Sequence, residues 1–351
     1  MKSRLEQVRS DTAAVLTGRT EQLKPLAGVH LVITGGTGFL GTWLLELIAA
    51  LNTDHQFNTH VTVYSRSAPD FARRHKHLGI RKEFHFVEGD IRFLTELPHE
   101  SNYIIHAAAL TDRRLFASNP TAVGDINSVG TIRLLRAASL LEDLRNVLLV
   151  SSGLIYGPQP LAMEHLNENF SGGFGCNNAN AIYAESKRFA EAFAAAFVSE
   201  TKIPLVIARP FALVGPYQSL ELPWAVTDFI RDCLAGRPIK IMGDGSTVRS
   251  LMYASDFAYW ILAALVRGQT RQAYNIGSPE PVDLLSLARM IMQHFTPPQD
   301  ILTRVGQSGH EPTRLVPCVD KARHELGVQL TVPLAEAVQK TINWHRAPAD
   351  S

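Results

Sequence analysis

Tyr183 and Lys187 stand four residues apart in IYAESK (182–187), which puts both on one face if the segment is helical. An ammonium beside a phenol favours phenolate and lowers the tyrosine pKa, so such a pair can exchange a proton with a substrate hydroxyl or keto oxygen. Alone, the spacing is an ordinary surface pair. It is accompanied by SSGLIYG (151–157), which reads as the end of a buried strand entering a tight turn, with the hydroxyls of Ser151 and Ser152 at its mouth. Gly153 and Leu154 follow, and neither side chain can move a proton.

These groups need a frame, and its strongest element is VHLVITGGTGFLGTWLLELIAAL (29–51): a strand, a glycine-rich turn and an amphipathic helix in succession. Gly36, Gly38 and Gly41 satisfy G-x-G-x-x-G, and Gly35, Gly38 and Gly41 the related G-x-x-G-x-x-G. Such a turn is tight, lets the backbone approach a pyrophosphate, and aims a helix N-terminus at its charge. With a strand before and a helix after, it predicts a dinucleotide site contacted by Gly35, Gly38, Phe39, Leu40 and Gly41. A carboxylate near the end of the second strand usually holds the ribose 2′-hydroxyl, whereas arginine there accommodates a 2′-phosphate. Here HVTVYS (60–65) runs into Arg66, so Ser65 and Arg66 point to NADP over NAD, with Asp70 as the carboxylate that could serve NAD instead.

VHLVIT (29–34), HVTVYS (60–65), EFHFVEGD (83–90), NYIIHAA (102–108), NVLLVSS (146–152) and PLVIARP (204–210) alternate with helical patterns over 40–51, 128–142 and 183–199. Continuous apolar strands separated by helices predict an α/β fold with a Rossmann-like, doubly wound parallel sheet covered on both faces. From about residue 215, helical runs separated by Gly- and Pro-containing loops predict a smaller C-terminal substrate-binding lobe. The expected division is a polar N-terminal extension over 1–28, a cofactor domain over 29–214 and the lobe over 215–351; the helix at 255–266 and a strand near 272–277 return to the cofactor domain.

Lys and Arg total 34 against 33 Asp and Glu, a net charge of +1 without a basic tract, so no nucleic-acid partner is expected. Cys176, Cys233 and Cys318 are far apart, which suits neither a disulfide framework nor a metal site. The longest apolar window, FAYWILAALV (257–266), is far short of the roughly 18 residues that span a bilayer, and no membrane partner is expected. A cytoplasmic protein is the expectation.

The order of these segments resembles the extended short-chain dehydrogenase/reductase family, in its branch acting on nucleotide sugars, over nearly the whole chain after residue 28. TGGTGFLG (34–41) is similar to the family's cofactor turn, GDIR (89–92), with Asp90 and Ile91, to its adenine-contacting loop, and HAAAL (106–110), with Ala107 and Ala108, to its nicotinamide-side strand end. NSVGT (127–131) is similar to a helix carrying a structural Asn, here Asn127, which is grouped with the cofactor residues. RPFALVGP (209–216), with Pro210 at the cofactor, is similar to the turn into the sugar-nucleotide lobe. GDGSTVRSLMYASDFA (243–258) resembles the segment whose arginine, here Arg249, reaches the nucleotide diphosphate.

The resemblance implies that Tyr183 is the acid or base at a sugar oxygen, that Ser152 hydrogen-bonds the same oxygen, and that Lys187 holds the nicotinamide ribose and depresses the tyrosine pKa. Hydride then passes between the sugar carbon and the nicotinamide. Arg209, Arg249 and Arg314 are the expected substrate contacts, because planar guanidinium groups match phosphate oxygens. Asp112, Arg113 and Arg114 stand at the cleft edge, and the loop 167–182 is the expected seat of specificity. His106 reads as a packed strand-end residue. A homodimer is also implied.

In the family's 4,6-dehydratases an Asp-Glu pair follows the catalytic hydroxyl, and the decarboxylases keep a Glu there; this chain has Gly153 and Leu154. That leaves epimerisation or reduction of a 4-keto sugar as the expected chemistry. The alternatives are a dehydratase with its acid and base drawn from elsewhere and, of another class, a catalytically idle nucleotide-binding protein, against which Tyr183, Lys187 and the glycine turn speak.

Overall fold

The structure is a computed structural model that describes residues 3–160, 162–175, 177–304 and 313–348; Cys176 lies outside the described residues. The apolar runs form β1 (His30–Thr34), β2 (His60–Ser65), β3 (Phe84–Glu88), β4 (Ser101–His106), β5 (Asn146–Val150), β6 (Leu205–Pro210) and β7 (Ala273–Ile276). They pair in parallel as one sheet in the order β7-β6-β5-β4-β1-β2-β3. Leu31, Val32 and Ile33 at its centre are fully buried, as a strand covered on both faces requires. The strand order reverses between β1 and β4, and the crevice this opens at the carboxyl ends is where such sheets bind ligands.

The helices that build the frame are α1 (Arg4–Leu16), α2 (Phe39–His55), α3 (Arg113–Ser118), α4 (Pro120–Ala138), α5 (Ile182–Thr201), α6 (Ala225–Leu234) and α7 (Ala254–Arg267). α4 and α5 cover one face of the sheet through Leu134, Leu135, Ala190 and Ala194. α2 and α7 cover the other through Leu44, Ile48, Trp260 and Ile261. Every residue of α7 from Ala254 to Leu265 is buried, because the N-terminal extension lies over its outer side with Val8, Val15, Leu16, Leu23 and Leu26. A helix apolar all round has to be enclosed in this way. The buried Asp11 carboxylate accepts hydrogen bonds from Tyr253 and Lys340, both at 2.5 Å, so the extension is also bound to the C-terminal helix Leu334–Arg346.

After β6 the chain builds a second core from Phe229 and Ile230 of α6, Leu287 and Ile291 of helix Leu284–Met292, and Val338 and Ile342. It returns to the main sheet with α7 and with β7, which pairs with β6. No helix among the described residues is long and apolar enough to cross a membrane.

Candidate active site

A cleft of about 1150 Å³ runs from the turn after β1, past the ends of β4, β5 and β6, to the C-terminal lobe. At one end it is lined by Gly35, Gly38, Phe39, Leu40 and Gly41. Gly35 has φ of +70°, and a Cβ there would meet the Ala108 backbone at 2.7 Å; a Cβ at Gly41 would meet the Gly36 backbone at 2.3 Å. Strand, turn and helix therefore close to a spacing that only glycine permits. Gly38 caps α2 without a side-chain hydrogen bond, and a Cβ there would meet only the Gly35 carbonyl, at 3.5 Å. The first-turn amides of α2 thus face a cradle open to a pyrophosphate, and the site fits a dinucleotide.

Beyond the turn, Ser65, Arg66 and Ser67 line the cleft at the end of β2, with the Thr37 hydroxyl 2.6 Å from that of Ser65 and 3.1 Å from that of Ser67. Asp70 does not line the cleft; it is exposed and ion-paired to Arg73 and Arg74. Asp90 and Ile91 line the opposite side. The hydrogen bond from Arg92 holds the Asp90 carboxyl down to about 2, with the charge of Arg66 a smaller contribution. Ala107, Ala108 and Pro210 complete this half.

His106, behind the wall, is buried and pushed down to about 3 by that burial. Its Nε2–H donates to Thr131, whose hydroxyl donates to the Asn127 carbonyl, and Thr34 donates to its Nδ1. It is a neutral structural bridge between β1, β4 and α4.

Tyr183 lies in the first turn of α5, its ring stacked on Phe116 of α3 with centroids 4.9 Å apart and planes 13° apart. Burial pushes its phenol up to about 12, against a smaller downward pull from a hydrogen bond with Ser152. Ser152 caps the turn after β5 by accepting from the Leu154 amide at 3.1 Å. One helical turn after Tyr183, Lys187 donates to the Val150 carbonyl at 2.7 Å, and burial brings its ammonium down to about 8. The expected lowering of the phenol by the lysine is not found here. Burial dominates both groups, and the ammonium is held by the end of β5. Ser151, at 3% exposure, lines the cleft with no hydrogen-bond partner for its hydroxyl among the described residues.

Gly153 is closed off by packing: a Cβ there would meet the Phe211 ring at 2.9 Å. Phe211, Leu154, Phe116 and Phe174 all line the cleft; Phe116 and Leu154 pack in one cluster with Tyr183, and Phe211 stands over Gly153, next to Ser152. Toward the lobe the lining passes to Arg113, Trp224, Thr247 and Arg249. Arg249 donates to the Val248 and Thr313 carbonyls and to the Thr313 hydroxyl, and the Arg113 guanidinium lies 5.8 Å over the Trp224 ring. Among the described lining residues Asp90 is the only carboxylate, against Arg66, Arg113, Lys187 and Arg249. A cleft so charged is complementary to anions.

Three expected contacts do not line it. Arg209 is turned into a buried network: it forms a bidentate pair with Glu191 at 2.7 and 3.1 Å and donates to Tyr156 and to the Glu168 carbonyl, which leaves it for structure instead of phosphate. Arg314 donates to the Glu164 carbonyl outside the cleft. Asn127 donates to the Ser186 hydroxyl and so links α4 to α5 by a side chain, not by bridging backbone groups. Phe116 and Thr37 line the site without having been picked out in the sequence, where an apolar residue in a short helix and a threonine in a glycine turn carry no signal. Phe174, Asn178, Asn180 and Ala181 line it from the loop expected to carry specificity.

The profile of the NAD dependent epimerase/dehydratase family matches residues 31–277. The chain belongs to this family. The match begins in β1 and ends just after β7, so it takes in all seven strands and most of the residues lining the cleft. UDP-glucuronic acid decarboxylase 1 of Xenopus tropicalis is 27% identical over 317 residues, which cover 90% of this chain and 72% of that protein. dTDP-D-glucose 4,6-dehydratase of Bos taurus is 27% identical over 346 residues, covering 94% and 93%. Among solved structures, UDP-glucose 4-epimerase from Thermotoga maritima with UDP-glucose superposes with a TM-score of 0.75 at 20% identity, over 91% of this chain and 99% of that one. dTDP-glucose 4,6-dehydratase from Streptomyces venezuelae, with NAD and TYD bound, gives 0.76 at 23% identity, over 91% and 97%. The likeness of these two structures is one of fold.

Proposed function

We propose that this protein reduces a keto sugar carried on a nucleotide, with NADPH as the hydride source. The observation that carries the reading is the set of groups around Tyr183: two serine hydroxyls, a lysine, apolar side chains and no carboxylate among the described residues there. Such a set can move one proton at one oxygen, and it lacks the second acid or base that elimination needs. Bound NADPH would supply the hydride to the keto carbon. Tyr183 would give its phenolic proton to the oxygen, leaving a hydroxyl, and Ser152 would donate a hydrogen bond to the same oxygen. The turn at Gly35, Gly38 and Gly41 would take the pyrophosphate, Arg66 with the hydroxyls of Ser65, Ser67 and Thr37 a 2′-phosphate, and Arg249 the diphosphate of the substrate.

The cofactor choice rests on Arg66 and on the absence of Asp70 from the cleft. Epimerisation is the second reading. The same Tyr183 would then remove and return the proton, and a cleft of about 1150 Å³ leaves a sugar room to present either face. The chemistry named for the decarboxylase and dehydratase relatives is disfavoured at Gly153, because Phe211 fills the space that a side chain there would need. A merely nucleotide-binding role gives no reason to bury Lys187. Pairing of two copies through α4 and α5 belongs to the same proposal; Phe189, Phe193 and Phe197 form a row of rings along α5, with Phe189 47% exposed.

The test is the loss of reduced-nicotinamide absorbance with NADPH and 4-keto-6-deoxy sugars on UDP, dTDP, CDP and GDP. Stoichiometric loss with one of them is the expected result. Interconversion of sugar epimers without net loss moves the assignment to an epimerase.

A further inference from the structure

Covering α7 takes only apolar side chains, and the N-terminal extension supplies them in Val8, Val15, Leu16, Leu23 and Leu26. A carboxylate adds nothing to such a cover, yet Asp11 of α1 is 2% exposed. Taking a carboxylate out of water is costly, and a buried ion pair returns little net stability; what it can return is a fixed arrangement of the elements it joins. Asp11 joins three of them. Its Oδ1 accepts from Lys340 of the C-terminal helix and its Oδ2 from the Tyr253 hydroxyl, each at 2.5 Å. Around it, Gln7 donates to the Lys340 carbonyl, Arg4 to the Trp344 carbonyl and Arg19 to the Gln329 carbonyl, so the extension is pinned along its length. The segment that matches the family begins at residue 31, and this brace lies outside it.

Tyr253 ends the strand Leu251–Tyr253, which pairs in parallel with Ala212–Val214. It does not line the cleft, but its neighbours along the chain do: Thr247, Arg249 and Leu251 before it and Phe257 after it. Arg249, the residue proposed above for the substrate diphosphate, is four positions away, with the fully buried Ser250 between the two short strands. A guanidinium matches phosphate oxygens only in a set geometry, so a displacement of this segment is felt as lost affinity. The turn at Gly35 and Gly41, which would take the cofactor pyrophosphate, is instead fixed by its own backbone contacts. We infer that Asp11 is a positioning residue for substrate binding: through Tyr253 it sets the segment that carries Arg249, which makes the N-terminal extension part of the substrate half of the protein. The inference rests on the proposed role of Arg249 at a nucleotide-linked sugar.

The experiment is titration calorimetry of the full-length, NADP-loaded protein with UDP, dTDP, CDP and GDP, beside fluorescence titration of the unloaded protein with NADPH. Asp11→Leu removes both bonds, keeps the cover apolar and leaves Lys340 its second partner, Glu336, at 3.4 Å. Tyr253→Phe removes one bond and keeps the ring that meets Trp43 edge-on. In both variants the diphosphate that the wild type binds best should bind about 3- to 30-fold more weakly, with the Kd for NADPH within about twofold. Added to Arg249→Ala, neither change should weaken the diphosphate further, because its effect runs through that arginine. A lower Tm with both affinities unchanged overturns the inference and leaves the extension as a cover. Equal weakening of both ligands overturns it too, as does a weakening that persists in full beside Arg249→Ala. Should Asp11→Leu fail to fold, Tyr253→Phe decides by the same criteria. A wild type that binds NADPH and none of the diphosphates removes the proposed function itself, and the inference falls with it.

Discussion

The ring of Tyr183 lies flat on Phe116, 4.9 Å between centroids, so a short helix in the loop after β4 sets the surroundings of a phenol on α5. Burial keeps that phenol protonated, up to about 12. Phe116→Ala opens one face of the ring to water and should bring the phenol down by about one pH unit. As proton donor in the reductive direction, Tyr183 is active when protonated, so the alkaline fall in kcat/KM should begin at lower pH in the variant. A pH–rate profile checks this.

Tyr183→Phe removes the proton and keeps the ring. Turnover should fall by about 10²- to 10⁴-fold, while the Kd for NADPH should stay within about threefold, since the hydroxyl contributes few of the cofactor contacts. Fluorescence titration and initial rates separate the two effects.

Arg66→Ala tests the cofactor choice. Losing a charge-assisted contact to a 2′-phosphate should weaken NADPH about 10- to 100-fold, and NADH, which lacks that phosphate, should change little. Equal weakening of both would place the 2′ position elsewhere.

Lys187 is brought from 10.5 down to about 8 by burial. Between those values the unfolded chain holds a proton that the folded chain has lost, so stability rises with pH across this window and the burial penalty is complete below it. Lys187→Met should therefore raise the Tm of the cofactor-free protein at pH 7 by about 2 °C, the lost hydrogen bond to Val150 offsetting part of the gain. The advantage should shrink as pH passes from 8 toward 10.5. Thermal melts across that range, beside an assay in which turnover is lost, are the check.

Gly153→Asp restores an acid to the turn after Ser152, but its Cβ would meet the Phe211 ring at 2.9 Å. The variant should lose about 1–3 kcal/mol in denaturant unfolding and gain no dehydrating activity. Adding Phe211→Ala should return part of the stability lost.

Much of this protein was legible in its residues because the signals are local. A strand, three spaced glycines and a helix in succession specify a turn by backbone sterics, and β1, the Gly35–Gly41 turn and α2 follow from that alone. The alternation of apolar runs and helical patterns likewise determined a parallel, doubly wound sheet, since strands without a polar face must be covered twice. Tyr183 and Lys187 share a face by helical geometry. The fates of the arginines were not legible: Arg209, Arg249 and Arg314 are chemically alike, and only the packing of β6 against α5 gives Arg209 to Glu191 while Arg249 lines the cleft. The tertiary structure also decided that Phe116, 67 positions before Tyr183 in the chain, covers its ring, and that Phe211 closes the space over Gly153. Those contacts depend on how distant elements are brought together, and burial, which outweighs local charge at Tyr183 and Lys187, exists only once they are.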